Sequence, residues 1–62
     1  MKIGQRVQTP HGPGTVKVIE KLSDRFPRAG VLHDVFPGGM PRIFTDDILY
    51  YFFTELKILK HN

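Results

Sequence analysis

The stretch from Gly4 to Val16 constrains the fold more than any other part of this chain. Val7 alternates with Arg6 and Gln8, the period-2 pattern of a half-buried strand over Gln5 to Thr9. Pro10 has no backbone donor and suits a strand end. His11-Gly12-Pro13-Gly14 is turn chemistry, because glycine accepts positive φ and proline presets its own. Gly14 is expected to be one of the glycines that needs this freedom. A second strand follows from Thr15. A chain that opens this way commits to an antiparallel hairpin within its first sixteen residues.

Strand signals continue along the rest of the chain. Val16 and Val18 alternate with Lys17, but Ile19 breaks the pattern, so a bulge near Ile19 is expected in a strand that reaches about Leu22. Ser23 to Arg28 reads as a loop. Ala29 to Phe36 reads as a third strand, with Val31, His33 and Val35 on one face and Leu32, Asp34 and Phe36 on the other. Pro37-Gly38-Gly39-Met40-Pro41 is the strongest breaker in the chain. After it come a short extended piece, Arg42-Ile43-Phe44, and a turn or N-cap at Thr45-Asp46-Asp47. Ile48 to Phe53 has strong β propensity and is expected as the fourth strand. A helix running from Thr45 or Asp46 towards Leu59 is the rival reading, and four successive aromatics weigh against it. Thr54 to Leu56 fits a single 3₁₀ turn, and Lys57 to Leu59 a short fifth strand.

Sixty-two residues make one domain, and a chain this short has a thin stability margin. It has no cysteine, so disulfides and thiolate metal sites are excluded. His11, His33 and His61 show no paired ligand spacing, and neither a metal nor a cofactor is expected. Self-association remains as a source of stability. No apolar run approaches a membrane span and the N-terminus lacks the apolar core of a signal peptide, so a cytoplasmic protein without membrane contact is expected. The formal charge of +3 is mild, and the nine Lys and Arg are scattered.

The aromatic run carries the strongest functional signal. In a strand Tyr50 and Phe52 share one side, Tyr51 and Phe53 the other. A small domain has one interior, so one pair must look outward or pack under a loop such as Pro37 to Pro41. Together with Phe36, Phe44 and Met40 of the Pro/Gly loop, these four residues form the candidate protein interface, for a partner or a second copy of the chain. Arg6, Lys17, Arg25, Arg28 and Arg42, with Phe26 between two arginines, form the alternative: a discontinuous nucleic-acid surface combining charge with stacking. The His11 to Gly14 turn is a poor phosphate cradle, because no helix follows it. His33 with Asp34, Asp46 and Asp47 could be drawn as an acid/base set. His33 shares a face with Val31, however, which makes it a core or rim histidine, and Asp46 and Asp47 suit a turn. No catalytic residues are assigned.

Gly4-Gln5-Arg6-Val7 followed by Gly12-Pro13-Gly14-Thr15-Val16 resembles the opening of SH3-like families: CAP-Gly domains, KOW modules and the Tudor-like C-terminal domains of helicases. Ala29-Gly30-Val31-Leu32-His33-Asp34 and Glu55-Leu56-Lys57-Ile58-Leu59 are similar to the middle and closing strands of such barrels. The resemblance implies an all-β, five-stranded SH3-like barrel. The Gly-Lys-Asn-Asp-Gly run of CAP-Gly domains is missing, so their binding to acidic aromatic tails does not carry over. The helicase domains imply contact with RNA polymerase or nucleic acid, by analogy of fold. The expected function is that of a non-enzymatic binding or adaptor module contacting a larger protein assembly. Its size and style resemble accessory or phage-type regulators. An enzyme is conceivable only through a pore shared between copies.

Overall fold

The computed structural model describes residues 1–21, 26–42 and 46–60. It is all-β: β1 (Arg6–Thr9), β2 (Gly12–Glu20), β3 (Arg28–His33), β4 (Ile48–Phe52), a 3₁₀ turn (Phe53–Glu55) and β5 (Lys57–Ile58). The strands form one antiparallel sheet in the order β4-β3-β2-β1-β5. The sheet is open, with β4 and β5 at its edges; among the described residues no ladder joins the two into a closed barrel.

Local chemistry explains where each strand starts and stops. Thr9 pairs with Gly12, so the hairpin tip is Pro10-His11 and β2 begins three residues earlier than the alternation suggests. The Thr9 hydroxyl donates to the Gly12 carbonyl at 2.9 Å and accepts from the His11 backbone N–H at 2.9 Å, closing the turn. The glycine that takes positive φ there is Gly12, at 120°; Gly14 does not. Gly14 is needed for space instead. A Cβ on it would lie 2.6 Å from both the Leu32 carbonyl oxygen and Val31 Cγ1.

The bulge in β2 falls between Val16 and Val18, two residues before Ile19. Val16 faces Val31 and Val18 faces Gly30, so Lys17 is the extra residue. The slip returns Ile19 to the inner side opposite Ala29, where it packs on the core. β3 ends at His33, and Val35, expected on its inner face, is 80% exposed. The Asp34 N–H still bonds the Pro13 carbonyl in the β2–β3 register, but Pro13 has no N–H to return the bond, so the ladder ends there and the Asp34 carboxylate turns to Arg6. β4 stops at Phe52, one residue early, and the 3₁₀ turn takes Phe53. The Asp46 carboxylate accepts the Ile48 N–H at 3.1 Å, the turn role expected of it. The expected loop residues Ser23 to Arg25, the strand end at Leu22, and Ile43, Phe44 and Thr45 lie outside the described residues.

Cross-strand partners share a face. Val7, Val16, Ala29, Val31 and Tyr51 form the buried inner face, with Met1, Ile19, Leu49, Phe53 and Leu56 packed around them. The outer face carries Arg6, Thr15, Val18, Leu32, Tyr50 and Phe52.

Candidate interaction surface

Register decides which aromatics are available. Tyr51 pairs with Ala29 and is buried; Phe53 packs half-buried against the same core. Tyr50 pairs with Gly30 and Phe52 with Arg28, which puts both on the outer face. The outward pair is therefore Tyr50 and Phe52. A Cβ on Gly30 would meet Tyr50 Cε2 at 2.9 Å, Ile48 Cγ2 at 2.8 Å and Val18 Cβ at 3.1 Å. The tyrosine ring thus lies directly over the glycine, shielding it as aromatics do over strand glycines.

Phe26 extends this surface. Its ring meets Phe52 edge-on, with centroids 6.2 Å apart. Phe26, Pro27, Phe52, Phe53 and Thr54 line an open groove of about 400 Å³. Phe26 is 65% exposed, Phe52 45%, Leu32 38% and Tyr50 37%. Four large apolar side chains on one face exceed the scattered exposure that needs no explanation. The sequence pattern groups Phe26 with the nucleic-acid set, yet its neighbours are the interface aromatics. Leu32 joins this surface, and its outward position follows from the alternation along β3.

The other expected interface residues lie elsewhere. Phe36 and Met40 are half-buried in the loop after β3, where the Arg42 guanidinium sits 4.4 Å from the Phe36 ring centroid. Phe44 falls outside the described residues.

The basic residues are largely engaged. Arg6 forks onto Asp34, with its two terminal nitrogens 2.6 and 2.5 Å from the carboxylate oxygens, and also donates to Thr15 Oγ1 at 3.0 Å. The hydrogen bonds that Arg6 donates to Asp34 raise the Arg6 pKa and lower that of Asp34. Arg28 holds Glu20 at 2.8 Å and lies 5.7 Å from the Tyr50 ring centroid. Arg42 holds Asp47 at 3.3 Å. Lys17 is exposed at the bulge, and Arg25 lies outside the described residues.

A buried polar chain underlies the hairpin. His33, 7% exposed, places Nε2 2.9 Å from Tyr51 Oη and 3.1 Å from Thr9 Oγ1. Tyr51 Oη is 2.8 Å from His11 Nδ1. His33 Nδ1 has no partner. A bare ring nitrogen is cheaper to bury unpaired than an N–H, so the arrangement assigns the proton to Nε2. His33 then donates to Tyr51, and Tyr51 to His11. Burial, and then the nearby His11, hold the His33 pKa below the ordinary imidazole value, with Asp34 opposing. The unfolded chain therefore binds more protons, and stability must rise with pH across this range. The contribution is full above about pH 6.5 and is lost as pH falls through the lowered folded value. Urea midpoints followed across that window should drop on the acid side in the native chain, and the drop should shrink in His33→Gln. Equal slopes in both would remove His33 as the cause.

Among the described residues no helix is long and apolar enough to cross a membrane. Comparison with protein-family models, with curated proteins and with solved structures finds no match.

Proposed function

We propose that this chain is an SH3-like binding module, non-enzymatic, which docks on a protein of a larger assembly through Phe26, Leu32, Tyr50 and Phe52. The strand order β4-β3-β2-β1-β5, with a 3₁₀ turn between β4 and β5, supports the SH3-like reading. The carrying observation is the outward Tyr50–Phe52 pair beside the Phe26 groove. An apolar contact centred on aromatics is the composition of a protein interface core. The nucleic-acid alternative is weakened because Arg6, Arg28 and Arg42 each hold a carboxylate that a phosphate would have to displace.

A labelled single-stranded oligonucleotide titrated at low and high salt separates the two readings. Charge-driven binding would appear at low salt and fall steeply as salt rises. The docking reading expects no oligonucleotide binding. It also expects the paired change Phe26→Ser and Leu32→Ser to abolish salt-insensitive partner retention in a pull-down. Both side chains are exposed, so the fold should survive, with stability changed by under about 1 kcal/mol. Steep low-salt binding with unaffected protein retention would reverse the assignment.

A further inference from the structure

Building on the reading of this chain as a binding module, we propose that two copies pair through the edge of β4, which among the described residues no strand covers, in antiparallel register about a two-fold axis at Tyr50.

The edge can be reconstructed from the ladder. The Val16 N–H bonds the Gln5 carbonyl at 2.9 Å, and the Val16 carbonyl accepts the Gly4 N–H at 2.8 Å. Val16 therefore spends its backbone groups on the side away from β3. Antiparallel ladders alternate, so Val31, opposite Val16, turns its own groups towards β4. Leu49 and Tyr51 receive the β3 bonds, while Ile48, Tyr50 and Phe52 point away from the sheet. The Ile48 N–H confirms this parity independently, since it bonds Asp46 Oδ1 and not β3.

What remains at the edge matches itself. In the proposed register Tyr50 faces the second copy's Tyr50, and each N–H meets the other's carbonyl. The Phe52 N–H meets the second copy's Ile48 carbonyl, twice by symmetry. The Ile48 N–H, which would lie at the end of this ladder, is already held by Asp46. Side chains match as well: Ile48 opposes Phe52, Leu49 opposes Tyr51, and each keeps to its own face. The strand Ile48-Leu49-Tyr50-Tyr51-Phe52 carries no charge and no proline. Natural edge strands are normally guarded by such residues, by bulges or by brevity. The opposite edge shows this guarding: β5 is two residues long, and one of them is Lys57. An isologous pair is also the commonest form of self-assembly, and it would join the two outer aromatic faces into one.

Sedimentation equilibrium on the full chain, over a range of concentrations, should give a species of twice the 7.1 kDa chain mass. Phe52 has φ −67°, a value proline adopts, so Phe52→Pro removes an edge donor while the backbone keeps its path. Phe52→Pro should raise the dimer dissociation constant at least ~10-fold, since it deletes two symmetric hydrogen bonds. Tyr50→Lys, which sets two ammonium groups at the axis, serves as the second variant. Circular dichroism checks that each is folded, and if only Tyr50→Lys folds, that variant decides. Phe26→Ser should leave the dimer intact, because Phe26 is not on the edge. A mass that stays at 7.1 kDa throughout, or a dimer indifferent to the folded edge variants, overturns edge pairing. Partner retention that survives Phe26→Ser with Leu32→Ser, while the dimer still responds to the edge variants, would strike the docking reading alone.

Discussion

Gly14→Val is expected to leave the chain unfolded. The reason is contact distance. The first added carbon would sit 2.6 Å from a backbone oxygen of β3 and 3.0 Å from the His33 Cα, and backbone cannot swing aside as a side-chain tip can. Either β2 separates from β3 or the hairpin twists, and Val31, 0% exposed, loses its packing in both cases. Overpacking of this kind costs about 3 kcal/mol or more. At 0.05–0.15 kcal/mol per residue the whole domain holds only roughly 3–9 kcal/mol. Gly12→Ala supplies the contrast: nothing lies within 4 Å of its Cβ, but φ is 120°. The cost there is left-handed strain, about 1–2 kcal/mol. Thermal unfolding by circular dichroism should show no transition for Gly14→Val and a lowered but cooperative one for Gly12→Ala. A cooperative Gly14→Val domain would mean that β2 and β3 are not this close.

Tyr51→Ala should be the most damaging side-chain truncation. The ring fills the inner face between Ala29 and the two histidines, with centroids 5.7 Å from His33 and 5.9 Å from His11. Removing a buried aromatic costs about 3–5 kcal/mol. Tyr51→Phe keeps the volume and deletes one oxygen. It leaves His11 Nδ1 without its donor and His33 Nε2 with Thr9 alone, for about 1–3 kcal/mol. Urea midpoints for the two variants should therefore be well separated. Equal losses would mean that the hydroxyl, not the ring, is what the core requires.

The strands were legible because their signals are local. Alternation marked β1 and β3, the aromatic run marked β4, and the Gly/Pro cluster marked the hairpin. The errors came from long-range information. Gly14 reads as a turn residue, yet its constraint is the approach of β3, which no local rule contains. The bulge was sensed from Ile19, where the alternation fails visibly, although the extra residue is Lys17. Val35 continues an apolar alternation, but the ladder stops at Asp34, because Pro13, its partner twenty-one positions away, has no N–H to return the bond. At the candidate surface, alternation required one aromatic pair to face out; only the pairing of Tyr51 with Ala29 decided that it was Tyr50 and Phe52. The pairing of Phe26 with Phe52 joins residues from separate segments and was not visible beforehand.

The zigzag of β4 is tested most directly by nitration of the folded, dilute chain with tetranitromethane, read by peptide mass spectrometry. The chain has two tyrosines, adjacent in sequence and assigned to opposite faces. Tyr51 is buried, and burial raises its pKa, so little of the reactive phenolate forms there. Nitration confined to Tyr50 is the predicted result. Equal modification of both rings, or modification of Tyr51 alone, would contradict the outward aromatic face and the binding role built on it.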